Sequence, residues 1–206
     1  MAKRFLLLVV ICLCVAQVAS AGLIITDMQR RNSTNTAPLL TGPLDEGSVM
    51  FTDRTAATHG PGGHQYKNVP AYLIGADYVM TANNDRTVAN VEYDVTLAGS
   101  TTLYLFIDNR VGDADKNTPP TLGGGVMDWV ASMGFVATGD VLNIDEKGDG
   151  TIENYSSIYK LANASGTLTL YQQNAGSLNM YGIAAIPEPA TVALLGLGAL
   201  VLRRRK

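Results

Sequence analysis

Beyond residue 14 this 206-residue chain contains no cysteine: Cys12 and Cys14 are its only two. Both lie in an apolar leader, so a chain cut after that leader has no disulfide, thiolate metal site or cysteine nucleophile. Histidine is nearly as scarce, with His59 and His64 alone, five apart in the loop HGPGGH. Two imidazoles could share a zinc, but no third ligand stands at helical or strand spacing, and a polar surface loop is the simpler reading. No G-x-S-x-G turn is present to present a serine nucleophile. Acids are too numerous for the presence of a carboxylate pair to point to glycoside hydrolysis. These absences argue against an enzyme.

The leader itself is informative. Lys3 and Arg4 precede residues 5–18, which are almost unbroken apolar sequence, and Ala19 and Ala21 follow. A basic start, a short apolar stretch and small residues at −3 and −1 form a secretory signal peptide with cleavage between Ala21 and Gly22. The apolar stretch is short for a membrane span, which needs about 20 residues. Neither cysteine has a small-residue lipobox before it, so the sequence does not read as a lipoprotein. The expected organisation is a signal peptide over 1–21, one domain over 22–186 and a C-terminal segment over 187–206.

The whole chain carries 15 Lys and Arg against 18 Asp and Glu. Removing Lys3, Arg4, Arg203, Arg204, Arg205, Lys206 and Glu188 leaves nine cations and seventeen acids, a body near −8. Such a surface disfavours nucleic-acid backbones and anionic membranes. It suits an exported protein, and it can hold calcium.

Strands dominate the body. In NVEYDVTLA (90–98), Val91, Tyr93, Val95 and Leu97 alternate with Glu92, Asp94 and Thr96, the period of a half-buried strand. TTLYLFIDN (101–109) is apolar on both faces, and Gly99–Ser100 between the two reads as a hairpin turn. GTLTLYQQ (166–173) and LNMYGIAAI (178–186) read as a second hairpin around residues 174–177. Shorter strands are expected at 23–27, 48–52, 71–81, 141–145 and 157–161. Residues 32–44 and 55–70 are expected to be loop, and 126–133 one or two helical turns. Short strands separated by Gly, Asn, Asp, Ser and Pro predict an all-β, antiparallel β-sandwich of jelly-roll-like form.

Two acidic loops invite a cation. Asp108, Asp113, Asp115 and Asn117 leave an expected strand, and the last three have the alternate spacing that opens a calcium loop. The glycine and glutamate that an EF-hand needs at positions 6 and 12 are replaced by Thr118 and Gly124. The competing reading is a solvated strand exit. In DEKGDGTIEN (145–154) Lys147 opposes a cation, and a glycine turn explains the composition better. Calcium at the first loop is the one cofactor the sequence suggests. Trp129 beside Asp128 is the one candidate ligand pair: an exposed indole stacks on a sugar while the carboxylate accepts its hydroxyls. Its apolar neighbours Val126, Met127, Val130 and Met133 favour a core plug instead. The tyrosines sit mostly in strands and read as packing.

The chain closes with IPEPATVALLGLGALVLRRRK (186–206). Residues 190–202 are 13 in number, roughly 20 Å as a helix, against a hydrocarbon core of about 30 Å. Snorkelling arginines or local thinning would close that gap, and the basic end favours the cytoplasmic side. The order Pro187-Glu188-Pro189, apolar stretch, then Arg203, Arg204, Arg205 and Lys206 resembles the PEP-CTERM sorting signal, with Ile186 where that family usually has valine. The resemblance covers about a tenth of the chain. It implies a polysaccharide-producing Gram-negative bacterium. It also implies an exosortase as partner, transient contact with the inner membrane through a single hydrophobic sorting helix, and delivery to the cell envelope, surface or exterior. More loosely, GADYVMTAN, LYLFIDNR and NMYGIAAIPEP resemble the β-sandwich bodies such proteins carry. The expected function is that of an exported, non-catalytic surface or matrix protein serving adhesion or biofilm structure. The alternatives are a carbohydrate-binding module touching extracellular polysaccharide and, third, an extracellular hydrolase.

Overall fold

The computed structural model describes residues 23–173, 176 and 178–188. The leader, the Ala21–Gly22 junction, Pro189 and the apolar and basic tail lie outside the described residues. Among the described residues no helix is long and apolar enough to cross a membrane.

The fold is all-β and antiparallel. Its strands are β1 (Ile25–Arg31), β2 (Leu40–Pro43), β3 (Gln65–Lys67), β4 (Asp77–Met80), β5 (Glu92–Asp108), β6 (Val136–Asp145), β7 (Asn154–Tyr171) and β8 (Gly182–Pro187). Helical structure is limited to α1 (Ala56–His59), α2 (Asp128–Ser132) and 3-10 turns at Ala71–Leu73 and Asn83–Thr87. The order across the sheet is β2-β4-β8-β5-β7-β6-β3, with β1 added to β5.

Two long strands form the spine. β5 and β7 pair from Glu92 opposite Tyr171 to Asp108 opposite Ser156. The first half of β5 also pairs β1, and its second half pairs β8. The far ends of the sheet approach each other through residues 47–52: Val49 bridges Gln65 of β3, and Phe51 bridges Thr81 just past β4. The sheet thus curls back on itself around a shared core, in a sandwich-like arrangement.

The alternation read in 90–98 is present: Val91, Tyr93 and Val95 are fully buried while Glu92, Asp94 and Thr96 are half-buried. Beyond the bulge β5 passes into the core, and Leu103, Leu105 and Ile107 on one face and Tyr104 and Phe106 on the other are all buried. Edge-to-face contacts tie Tyr66 to Phe106 and to Tyr78, with centroids 5.4 and 6.4 Å apart.

Both expected hairpins are corrected. Gly99–Ser100 reverses nothing: it is a bulge, where register shifts between Leu97 and Thr101 while β5 continues. A bulge and a tight turn both favour small residues, so the local signal is shared. Residues 157–161 and 166–173 likewise join as the single strand β7, apart from Gln172 and Gln173. β8 lies beside β5 and β4 rather than β7, so the second hairpin is absent too. Of 71–81, only Asp77–Met80 is strand, and β6 begins at Val136, before the expected 141. The expected loops contain β2, α1 and β3.

Candidate functional site

One open groove brings together side chains from four distant segments. Pro70 fixes the entry to the 3-10 turn Ala71–Leu73, which buries Leu73 and leaves Tyr72 43% exposed. Tyr104 lies beneath on β5, its ring 5.9 Å from that of Tyr72 and tilted by 36°. Lys160 is the register partner of Tyr104 on β7. Thr138 and Asp140 come from β6.

Hydrogen bonds set the shape of the groove. The Tyr72 hydroxyl donates to Asp140 Oδ2 at 2.8 Å. The Thr138 hydroxyl donates to the Ile158 carbonyl at 3.0 Å and accepts the Asp140 amide at 3.1 Å. Tyr72, Tyr104, Thr138, Asp140 and Lys160 enclose about 260 Å³, just below the roughly 300–1,000 Å³ of pockets that engulf a drug-sized ligand. Burial and the bond to Asp140 push the Tyr72 phenol up to about 12. Burial, with the nearby Glu188 charge, raises Tyr104 as well. Both stay neutral donors at ordinary pH. Among the described residues Lys160 makes no ion pair within 4 Å. The groove therefore offers an exposed ring face, an acceptor and a cationic donor.

The start of the tail is also placed. Ile186 and Pro187 belong to β8, opposite Thr102 and Thr101 of β5. β4 pairs β8 from Ile183 only as far as Ala185, so the N–H that Pro187 lacks has no ladder partner to lose. Glu188 Oε1 accepts the Thr102 hydroxyl at 2.8 Å and the Asn163 amide at 3.0 Å. Its own amide donates to the Ser100 carbonyl at 3.3 Å. These two bonds to the carboxylate, with the Lys160 charge, lower the Glu188 pKa below the ordinary glutamate value. The carboxylate and the amide of Glu188 are thus both bonded to the body.

The sequence candidates are distributed differently. Asp108 is fully buried, its oxygens taken by Arg110 at 2.9 and 2.5 Å and by the Asn179 amide at 2.9 Å. Glu146 joins the same cluster, accepting from Asn154 and Asn179 at 2.6 and 2.8 Å. Asp113, Asp115 and Asn117 lie apart in the following loop, engaged with one another's backbone and with Thr118 and Thr121. Asp145 accepts four successive amides, from Lys147 to Gly150. Among the described residues no three His, Cys, Asp or Glu converge as a metal site.

Trp129 is packed among Phe135, Tyr171 and Tyr181 at 6.4, 6.0 and 5.6 Å, and its indole N–H donates to the Gln172 carbonyl. That is the plug geometry. Asp128 turns away to accept the Gly125 amide at 2.9 Å. His59 and His64 do meet, with ring centroids 5.1 Å apart. Burial drives the His64 pKa down to about 4, leaving it neutral.

Sequence reasoning missed the Tyr72–Tyr104 groove. Nothing local marks it, because its residues are separated along the chain and each reads singly as turn or strand.

Residues 185–206 match the PEP-CTERM protein-sorting motif. No curated protein sequence matches the chain. Among solved structures, the chain is similar to a β-glucuronidase from glycoside hydrolase family 2, with a TM-score of 0.54 and 14% identity. The match covers 81% of this chain and 15% of that enzyme. It is a likeness of fold to a small part of a much larger protein.

Proposed function

We propose that this chain, whose PEP-CTERM motif implies export and an exosortase as processing partner, is a non-catalytic surface or matrix protein. The observation that carries the reading is the continuity of the motif with the body. The match begins at Ala185, inside β8, so an acidic all-β cargo and its sorting signal share a strand. Fractionating cells with and without the exosortase tests it. With the enzyme, the protein should lose its C-terminal segment and move outward from the inner membrane. Identical size and location in both strains would overturn the reading.

A second reading is favoured by the groove: the body holds a neutral sugar residue of an extracellular polysaccharide. Sugars need an apolar ring face to stack on and both donors and acceptors for their hydroxyls. Tyr72, Asp140 and Lys160 supply these together. One acid lines the groove, whereas glycoside hydrolysis uses two carboxylates across a cleft, which supports binding without catalysis. The two readings are compatible, since a matrix protein must hold something.

A further inference from the structure

The sorting motif and the folded body compete for the same residues. Sequence order places only Pro189 between Glu188 and the apolar stretch that starts at Ala190. At no more than about 3.6 Å per residue, the seated Glu188 lies within roughly 7 Å of that stretch, whatever path the chain takes. A membrane-embedded enzyme reading Pro187-Glu188-Pro189 would meet the body at once. It would also find Ile186 and Pro187 paired with β5, the Glu188 amide bonded to Ser100, and Oε1 of the Glu188 carboxylate bonded to Thr102 and Asn163.

The seat is built from body residues. Thr102 is buried, and its hydroxyl has Glu188 as its one hydrogen-bond partner among the described residues. Asn163 has a positive φ of 56°, a left-handed conformation that asparagine tolerates, and from it the amide meets the same carboxylate oxygen. A carboxylate is the ligand chemistry these two donors fit.

We propose that Thr102 Oγ1 and the Asn163 amide form a carboxylate seat that holds Glu188 of the unprocessed chain, so that the exosortase gains its recognition sequence only when this seat opens. The consequence is a coupling between folding and release. A fully docked β8 withholds the motif, and opening of its last residues exposes it. Local opening at a strand end is the low-energy kind of fluctuation in a folded protein. The inference rests on the exosortase reading above.

Thr102→Val tests the seat while keeping a residue of similar shape that suits a strand. Thr102→Ser restores the hydroxyl. In pulse-chase labelling of full-length chain in exosortase-producing cells, the valine variant should lose its tail about three- to tenfold faster, the equivalent of one ordinary hydrogen bond. The serine variant should match the parent. Separately, NMR titration of the Glu188 carboxyl in the purified full chain in detergent micelles should give a depressed pKa in the parent and serine forms and a smaller depression in the valine form, where the Asn163 amide and the Lys160 charge remain. An unchanged titration in Thr102→Val overturns the seat. A shifted titration with unchanged processing rate overturns the coupling. Should the parent never be processed, the sorting reading fails, while the titration still decides whether the seat exists.

Discussion

At the scale of single residues, the molecule separates aromatic side chains that pack from those that present a surface. Trp129 is half-buried against three rings and its N–H is bonded, whereas Tyr72 stands 43% exposed over a groove. The indole was the conspicuous residue in the sequence, and the tyrosine was one of nine. Their roles depend on distant partners: Tyr72 is shaped by Asp140, which lies 68 residues away. Tyr72→Ala should remove the stacking face and weaken binding of the purified protein to extracellular polysaccharide by roughly 1–3 kcal/mol. That range borrows from base–aromatic stacking, and it corresponds to about five- to 150-fold in Kd. Trp129→Phe should leave binding unchanged while lowering stability. Affinity electrophoresis of both variants, with melting temperatures as a folding control, makes the comparison. Equal retention of parent and Tyr72→Ala would remove the sugar from the groove.

At the scale of elements, strand content was legible because burial on one side of a sheet imposes alternation, and residues 90–98 obey it. What followed each strand was not legible. Gly99–Ser100 could equally close a hairpin or bulge, and the choice was made by the partner strand β7. β8 shows the same dependence on remote context. A Cβ on Gly182 would fall 2.1 Å from the Tyr66 hydroxyl and 2.8 Å from the Phe106 ring. The Tyr66 hydroxyl is itself buried and has no hydrogen-bond partner among the described residues. Gly182→Ala should therefore overpack the β8–β5 contact and destabilise by about 1–3 kcal/mol. Tyr66→Phe removes an unsatisfied buried group and should be neutral or stabilising by about 1 kcal/mol. In the double variant the hydroxyl clash is gone, so the loss should be smaller than the sum of the two single changes. Urea unfolding of the four proteins measures this. Strict additivity would mean that the clash lies with Phe106 alone.

At the scale of the whole molecule, an acidic body runs into the sorting motif with almost no spacer. The sorting motif was legible in sequence because it is defined by order and composition. The seat was not, because it depends on Thr102 and Asn163 arriving beside β8 through the sheet. A geometric consequence follows for the sorting step. If the seat limits access, a second copy of the motif placed beyond its reach should escape that limit. Inserting eight Gly and Ser residues followed by Ile-Pro-Glu between Glu188 and Pro189 leaves Glu188 in place and recreates the motif downstream. The flexible insert alone can reach up to about 28 Å, enough to clear the body. Tail loss in exosortase-producing cells should be faster than in the parent, and adding Thr102→Val should no longer change it, because the recognised glutamate is not the seated one. If the extended chain still accelerates with Thr102→Val, the hydroxyl acts through the stability of the body and not through the motif, and the proposed coupling would be wrong.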